Sequence, residues 1–253
     1  SASRPVCEGQ PADPMVSAAF DGTPGCERLF LSRGSAFYRS EMFRRQADGA
    51  LVKFDVPEEA SPMVGREWLL VELRSAWTVG GRSYPAGALI ATRLDDFLGG
   101  KRAFPVLFEP TSRSSLAGAA WTRHHLILNV LEDVKNLLFV LTPGDGGWKR
   151  EPLPGAPPFS TLSASGVDPD ESDDYFLNVS GYLAPATLQY GRVGGAAEKL
   201  KEMPAFFDAS GLEVSQHFAT SKDGTRVPYF QVSPRGMPLD ARRPTLLYGY
   251  GGF

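Results

Sequence analysis

Cysteine and histidine are scarce in this sequence. Its 253 residues include two cysteines, Cys7 and Cys26, and three histidines. A disulfide framework needs more cysteines than this, and a zinc site needs ligands that are closer together in the chain. We therefore expect two free thiols and no metal, with a single bridge between Cys7 and Cys26 as the alternative for an exported protein.

Long apolar runs and an excess of positive charge are also missing. No stretch reaches the roughly 18 apolar residues that a membrane span requires, and residues 1–10 lack the basic and then apolar pattern of a signal peptide. The net charge of −3 favours neither nucleic acid nor an anionic membrane surface as a partner. We expect a cytoplasmic protein; a periplasmic or secreted location stays open, because a processed signal leaves no trace.

Glycine and proline are abundant instead, with 27 and 21 residues, and they separate many short apolar runs. Such punctuation is typical of an all-β protein with frequent turns. A single helical turn is predicted at Leu94–Leu98. The predicted strands are residues 28–31, 36–43, 51–56, 68–73, 88–92, 104–108, 116–121, 125–130, 136–142, 148–153, 160–165, 174–179, 187–192 and 198–200.

These runs fall into four sets that begin near Val16, Trp68, Leu116 and Ser160. The spacing of roughly 45 to 50 residues suits the four-stranded blades of a β-propeller. An elongated sandwich or two small β-domains would give a similar pattern. Four blades do not easily close a large ring, and a propeller must close to remove its exposed edges. We therefore expect further blades on the N-terminal side.

The pattern changes after Phe207. Residues 212–232 are predicted to form a hairpin, because alternating strands flank a turn at 221–224 whose Asp-Gly pair supplies a left-handed backbone. Residues 244–248 form an apolar run without alternation, which predicts a strand buried on both faces. The run leads into the glycine-rich residues 249–253. Because such a strand needs neighbours, we expect the sheet to continue beyond this sequence.

The sequence ends in PTLLYGYGGF, and SKDGTRVPYF precedes it. In this order the two stretches resemble the start of the catalytic domain in the prolyl oligopeptidase family of serine peptidases. DASGLEVSQHFATSKDG resembles the linker and hairpin by which the family's chain leaves its propeller. LEDVKNLLFVL (131–141) and YFLNVSGYLAPATLQY (175–190) are similar to the last propeller blades.

The resemblance implies a mainly β fold with two parts. Residues 1–207 would form a partial β-propeller of about four blades, and residues 208–253 would contain the first strands of an α/β-hydrolase domain. For the intact protein it implies a serine endopeptidase that hydrolyses short peptides on the carboxyl side of proline. The propeller would limit access to the active site, and no cofactor is implied.

Two residues match positions with a role in the family. Tyr250 would donate its hydroxyl to the oxyanion, and Phe253 would line the apolar pocket for proline. The partners would be short peptide substrates and the remainder of the protein's own catalytic domain. Cleavage after basic residues stays open within the family. A stand-alone β-propeller interaction module without catalysis is the alternative from another class.

The sequence departs from the family in lacking a catalytic triad. In such hydrolases the nucleophilic serine lies on a sharp turn within G-x-S-x-G and is followed by the aspartate and then the histidine. That motif is absent from the 253 residues, and His124, His125 and His217 all precede the oxyanion segment. The chain by itself is therefore predicted to be inactive.

The histidines invite other chemical interpretations. Ser215 and His217 are two residues apart on a predicted strand and share a face. Because no orienting carboxylate or glycine elbow accompanies them, we expect a solvent-facing pair and not a nucleophile. His124 and His125 are neighbours on a predicted strand, so they should point to opposite faces and bind no common metal.

The remaining candidates are interpreted as structural. Acidic residues 168–174 lack the central glycine and the closing Glu spacing of a calcium loop, which predicts a solvated turn between blade strands. The glycine clusters at 144–147 and 194–195 have no phosphate-loop lysine, and hairpin turns are predicted there. Packing in the core or at its rim is expected for the four tryptophans, Trp68, Trp77, Trp121 and Trp148.

Overall fold

A computed structural model of the chain describes residues 6–155, 157–238 and 240–249. The strands in these residues form four antiparallel sheets of four strands each and two separate two-stranded hairpins. The four large sheets follow one another along the chain, and none of them closes on itself. Each sheet is one blade of a partial β-propeller, which confirms the predicted fold class.

The strands of each blade are consecutive except where one hairpin is inserted. Blade 1 contains β1 (Met15–Asp21), β2 (Arg28–Ala36), β3 (Arg39–Arg45) and β4 (Leu51–Lys53). The next elements are β5 (Ser61–Gly65), β6 (Trp68–Glu72), the inserted β7 (Trp77–Val79) and β8 (Arg82–Tyr84), β9 (Leu89–Arg93), the one-turn helix α1 (Leu94–Leu98) and β10 (Val106–Phe108). Blade 2 is made of β5, β6, β9 and β10.

Blades 3 and 4 and the second hairpin complete the fold. Blade 3 contains β11 (Ser114–Trp121), β12 (Leu126–Glu132), β13 (Lys135–Gly144) and β14 (Gly147–Pro152). Blade 4 contains β15 (Ser160–Gly166), β16 (Asp174–Gly181), β17 (Thr187–Arg192) and β18 (Glu198–Glu202). The hairpin consists of β19 (Leu212–Thr220) and β20 (Arg226–Pro234).

The apolar core consists of three clusters, each between two neighbouring blades. Successive residues of a strand point to opposite faces of its sheet, so a central strand contributes to two clusters. In β12, Leu126 and Leu128 pack toward blade 2, whereas Ile127 packs toward blade 4. All three are at most 1% exposed. Burial on both faces is the reason that such strands are continuous apolar runs in the sequence.

Two asparagines add a polar contact between blades 3 and 4. The Nδ2 of Asn129 donates to the carbonyl of Leu162 at 2.6 Å, and the backbone N–H of Leu162 donates to Oδ1 of Asn136 at 3.0 Å. The Nδ2 of Asn136 in turn donates to Oδ1 of Asn129 at 3.0 Å. β15, which contains Leu162, has a strand neighbour on one side only. The asparagines therefore bond its backbone much as a neighbouring strand would.

Most strands lie within a few residues of their predicted bounds, and α1 coincides with the predicted helical turn. The strand predicted at 36–43 is wrong, because a turn at Phe37 and Tyr38 separates β2 from β3. These rings are 88% and 70% exposed and pack edge to face on each other. β1, β5, β7 and β8 are missing from the predicted strands; β7 and β8 have only three residues each, too few to show a period.

The hairpin of β19 and β20 confirms the prediction for residues 212–232, with Gly224 in its turn at φ +86°. The strand predicted at 244–248 is wrong for this structure. Those residues form no strand, and Leu246 and Leu247 are each 92% exposed. A strand requires a hydrogen-bonded neighbour, and in the described part of the chain β19 and β20 pair only with each other. The division at residues 207 and 208 stays a prediction.

Three other expectations concern side chains and the membrane. Cys7 and Cys26 are free thiols, as predicted. The glycine clusters at 144–147 and 194–195 lie at the β13–β14 and β17–β18 turns, which confirms the predicted hairpin turns. Within residues 6–155, 157–238 and 240–249, no helix has the length and apolar character needed to cross a bilayer.

Candidate active-site segment and its surroundings

The β19–β20 hairpin, which leads toward the predicted oxyanion segment, contacts blade 3 through one side-chain hydrogen bond. The Nε2 of Gln216 donates to the backbone carbonyl of Asp133 at 2.6 Å. Asp133 lies in the β12–β13 turn with φ +47°, and its carboxylate accepts from Nε of Arg113 at 3.0 Å. The hydrogen bond from Arg113 holds the pKa of Asp133 below its usual value. The turn that receives Gln216 is thus fixed by a charged pair.

The same face of the hairpin packs on blade 4 through aromatic rings. Phe230 lies across from Gln216 in the strand register. Its ring centroid is 5.8 Å from that of Phe159, just before β15, and 5.5 Å from that of Tyr182, just after β16. Aromatic pairs at this separation bury area with a defined geometry. The hairpin therefore lies against the β12–β13 and β16–β17 ends of blades 3 and 4.

The predicted oxyanion segment begins in an exposed stretch that has no regular secondary structure. Tyr248 is 82% exposed, and a Cβ added to Gly249 would meet no atom within 4 Å. Tyr250 and Phe253, the predicted oxyanion donor and pocket residue, lie outside the described residues. Their roles stay predictions.

Ser215 and His217 share a face of β19, as predicted, and are hydrogen-bonded. The Oγ of Ser215 and Nε2 of His217 are 2.9 Å apart, and the His217 ring packs on that of Tyr229 with centroids 5.4 Å apart. A serine nucleophile needs a base whose other nitrogen is oriented by a further group. In the described part of the chain no carboxylate is hydrogen-bonded to His217. The arrangement therefore supports the structural interpretation, although both side chains are half-buried and not solvent-facing as predicted.

His124 and His125 are not placed as predicted. They lie in the β11–β12 turn and not within a strand, so their rings are not forced to opposite faces. Nδ1 of His124 is 2.8 Å from Oδ2 of Asp173, and Nε2 of His125 is 3.9 Å from the same oxygen. Nδ1 of His125 is 2.8 Å from Oγ1 of Thr142. Among the described residues no group of three or more His, Cys, Asp or Glu side chains could hold a metal.

Acidic residues 168–173 occupy the turn between β15 and β16, as predicted, and Asp174 begins β16. The side chains of Asp168 and Glu171 are exposed to solvent, whereas backbone carbonyls of the turn accept hydrogen bonds from two arginines. Nη2 of Arg66, in the β5–β6 turn, donates to the carbonyls of Pro169 and Asp170 at 3.0 Å each. Nη1 of Arg123 donates to the carbonyl of Glu171 at 3.1 Å. The turn therefore binds basic side chains of blades 2 and 3.

The tryptophans pack in the core, as expected. Trp68, Trp121 and Trp148 adjoin the cluster between blades 2 and 3, with the Trp68 and Trp148 ring centroids 4.8 Å apart. Trp77 adjoins the cluster between blades 1 and 2. Arg93 lies over the Trp68 ring with its guanidinium carbon 4.2 Å from the centroid. The rings are in contact with each other and do not form an open cage for a ligand.

Comparison with known proteins identifies the family. No family model matches the chain. A protein named "Uncharacterized peptidase" from Sinorhizobium fredii is 43% identical over 185 residues, which cover 72% of this chain and 25% of that protein. The prolyl endopeptidase of Elizabethkingia meningoseptica is 32% identical over 102 residues, 40% of this chain and 14% of that enzyme. The chain belongs to the prolyl oligopeptidase family.

The solved structures agree on the fold. The structure of a post-proline cleaving enzyme from Rickettsia typhi covers 97% of this chain and 37% of its own, with a TM-score of 0.81 and 24% sequence identity. The four blades and the hairpin therefore share the fold of the corresponding part of that enzyme. The chain spans a quarter of the Sinorhizobium relative and about a third of the post-proline cleaving enzyme. The chemistry of the whole protein is therefore taken up below as a proposal.

Several contacts in this prolyl oligopeptidase chain are not predicted from its sequence. Gln216 and Asp133 are 83 residues apart, and Arg66 and Asp170 are 104 apart. Neither pair forms a motif, because each partner is an ordinary polar residue of a turn or strand. The sequence does indicate where turns occur, and LEDVKN predicts the β12–β13 turn. It does not indicate which other segment of the chain contacts that turn.

Proposed function

We propose that the intact protein is a serine peptidase that hydrolyses short peptides on the carboxyl side of proline, and that this chain supplies propeller blades and the start of its catalytic domain. The supporting observation is the order of parts in one chain. Four blades are followed by a hairpin packed on their ends and then by the sequence YGYGGF. Two relatives, each matched over 40% of this chain, carry the name prolyl endopeptidase.

Tyr250 is proposed to stabilise the charge that develops during acyl transfer. When a serine attacks the peptide carbonyl, the carbonyl oxygen becomes an oxyanion that needs preorganised donors. A tyrosine hydroxyl is a neutral donor of suitable strength. Losing one such donor typically costs about 2.7–4 kcal/mol, or about 10²–10³ in kcat.

Phe253 is proposed to line the pocket for the proline side chain. The proline ring is apolar, and proline has no backbone N–H to offer to the enzyme. Its recognition therefore depends on contact with an apolar surface, which an aromatic ring supplies. Specificity for a basic residue would instead require carboxylates in that pocket.

The propeller is proposed to restrict substrate size. Blades 3 and 4 contact the hairpin directly, which supports a propeller that lies beside the beginning of the proposed catalytic domain. A cover of this kind would admit short, flexible peptides and exclude folded proteins. The value of kcat/KM is expected to fall steeply when the substrate is a folded domain. It is expected to depend little on residues far from the cleaved bond.

The first experiment is fluorophosphonate labelling of the intact protein, read by intact mass. One label per chain is expected, because the reagent modifies an activated serine. The labelled enzyme's specificity is then measured with two chromogenic peptides that differ only in proline or arginine before the cleaved bond. Higher kcat/KM for proline supports the proposal, and higher kcat/KM for arginine replaces it with cleavage after basic residues.

A pair of tyrosine variants tests the oxyanion role. Tyr250→Phe is expected to lower kcat by about 10²–10³ with KM nearly unchanged, while labelling persists more slowly. Tyr248→Phe, which removes the hydroxyl of the other tyrosine in the same segment, is the matched control and should keep its activity. Equal activities of the two variants would remove Tyr250 from the mechanism. A folded intact protein that is never labelled would point to an interaction module without catalysis.

A further inference from the structure

Three residues of blades 3 and 4 that lie at the hairpin have an uncommon backbone conformation. Asp133, Val134 and Phe159 have φ values of +47°, +59° and +59°. They are three of the five non-glycine residues with positive φ in the described part of the chain; the others are Arg66 and Ala241. Residues with a Cβ are disfavoured in this conformation, and a β-branched residue such as valine most of all. We call Asp133, Val134 and Phe159 the docking residues.

The β12–β13 turn requires the conformation but not the valine. Glu132 pairs with Lys135 in the strand register, which leaves Asp133 and Val134 as the two central residues of the turn. A two-residue turn with positive φ at both central positions favours glycine at the second, as in Asp-Gly. Valine therefore stands where glycine would relieve the backbone strain. Strain of this kind clusters at ligand clamps and switch regions.

Each docking residue presents one group to the hairpin. The carbonyl of Asp133 accepts the hydrogen bond from Nε2 of Gln216 at 2.6 Å. The ring of Phe159 packs edge to face on the ring of Phe230, with centroids 5.8 Å apart. Val134, which is 49% exposed, lines a cavity together with side chains of β19 and β20. The residues with a strained backbone are therefore the ones that meet the hairpin.

The junction between the blades and the hairpin is not packed like a core. A cavity of about 670 Å³ lies between them, lined by Leu131 and Val134 of blade 3 and by Phe218 and Pro228 of the hairpin. Protein interiors have few voids larger than a water molecule. Within the part of the chain that the structure describes, Gln216 makes the only side-chain hydrogen bond between hairpin and blades. A small and partly polar contact of this kind permits relative motion of the two parts.

From these contacts we propose that the docking residues hold the hairpin reversibly, and that Gln216 is a positioning residue that keeps the propeller closed over the catalytic domain. The proposal rests on the function proposed above, in which the propeller restricts access to the active site. Release of the hairpin widens the gap that already exists at the cavity and admits longer peptides. Val134 and Phe159 keep their strained backbone because their side chains face the hairpin.

The test compares variants of Gln216 in the intact protein by hydrogen exchange and by peptide hydrolysis. Gln216→Leu removes the donor to the β12–β13 turn. Protection of the Asp133 amide, which donates to the carbonyl of Arg113, should fall about 2- to 12-fold, the equivalent of one ordinary hydrogen bond. The ratio of kcat/KM for a long unstructured peptide to kcat/KM for a short chromogenic peptide should rise. Gln216→Lys keeps a donor and should restore both values toward those of the wild type.

A second variant separates docking from the ordinary stability of the turn. Val134→Gly relieves the backbone strain, because glycine adopts positive φ at little cost, so the melting temperature of the intact protein should not fall. The same change removes a side chain that faces the hairpin. The kcat/KM ratio should therefore shift in the same direction as in Gln216→Leu. A role in the fold alone predicts the first result without the second.

Gln46→Leu is the matched control, because it makes the same substitution at an exposed glutamine of the β3–β4 turn. That turn corresponds to the β13–β14 turn of blade 3 and lies at the end of the blade away from the hairpin. Both readouts should stay as in the wild type. Unchanged exchange in Gln216→Leu, or a wild-type kcat/KM ratio in Val134→Gly, would overturn the proposal. The expected exchange in an intact protein without peptidase activity would support the docking contact and overturn the proposed function instead.

Discussion

Asn136→Ala should weaken the contact between blades 3 and 4 and so lower the free energy of unfolding. The change removes an acceptor for the Leu162 N–H and a donor for Oδ1 of Asn129, two bonds of 3.0 Å each. Leaving a buried polar group without a partner costs about 1–3 kcal/mol. Because both groups are only partly buried, water compensates in part, and we expect about 1–3 kcal/mol in total.

The assay combines urea denaturation of the intact protein with hydrogen exchange at the Leu162 amide. That amide should lose protection in Asn136→Ala, because its acceptor is gone. Asp145→Ala is the control, since Asp145 is exposed in the β13–β14 turn of the same blade, and it should change stability by less than about 0.5 kcal/mol. The double variant with Asn129→Ala should be less destabilised than the sum of the single variants, because both belong to one network. An additive double variant together with an unchanged Leu162 amide would refute the reasoning.

Two further predictions concern packing. Gly166→Ala should destabilise blade 4 by about 1–3 kcal/mol, because a Cβ there would lie 2.2 Å from the carbonyl oxygen of Trp121; Gly146→Ala, with no atom within 4 Å, is the control, and equal melting temperatures would contradict this. Leu128→Ala should cost about 2–5 kcal/mol by urea denaturation, because Leu128 is fully buried, whereas Leu137→Ala at a 38% exposed position should cost far less; equal losses would contradict the assigned core.

The blade architecture could be predicted because its physical cause is local. Central strands buried on both faces are apolar runs, and turn residues separate them at a regular spacing. In β12 the buried residues alternate between two clusters, and in β16 the buried residues lie in one cluster. The turn at Phe37 and Tyr38 could not be predicted in this way, because aromatic residues are typical of strands and the nearby Gly34 and Ser35 lie within β2 and not in the turn.

The contacts that assemble the blades could not be predicted, because they depend on distances through space. The neighbours His124 and His125 were expected on opposite faces of a strand. The β11–β12 turn instead brings both rings near Asp173, about 50 residues later in the chain. Likewise, the sequence after residue 243 is apolar in composition, but a strand forms only where another strand is available to accept its hydrogen bonds.

Because alternate residues of β12 belong to two different core clusters, the register of β12 determines which residues pack against blade 2 and which pack against blade 4. Leu126 and Leu128 belong to the seam with blade 2, and Ile127 belongs to the seam with blade 4. A single inserted residue would exchange the two sets, since the side-chain period of a strand is two. The two faces of a central strand are therefore specified by different residues, one face by the odd positions and the other by the even positions. Substitutions at one set of positions can change the packing against one neighbouring blade while the packing against the other blade is kept.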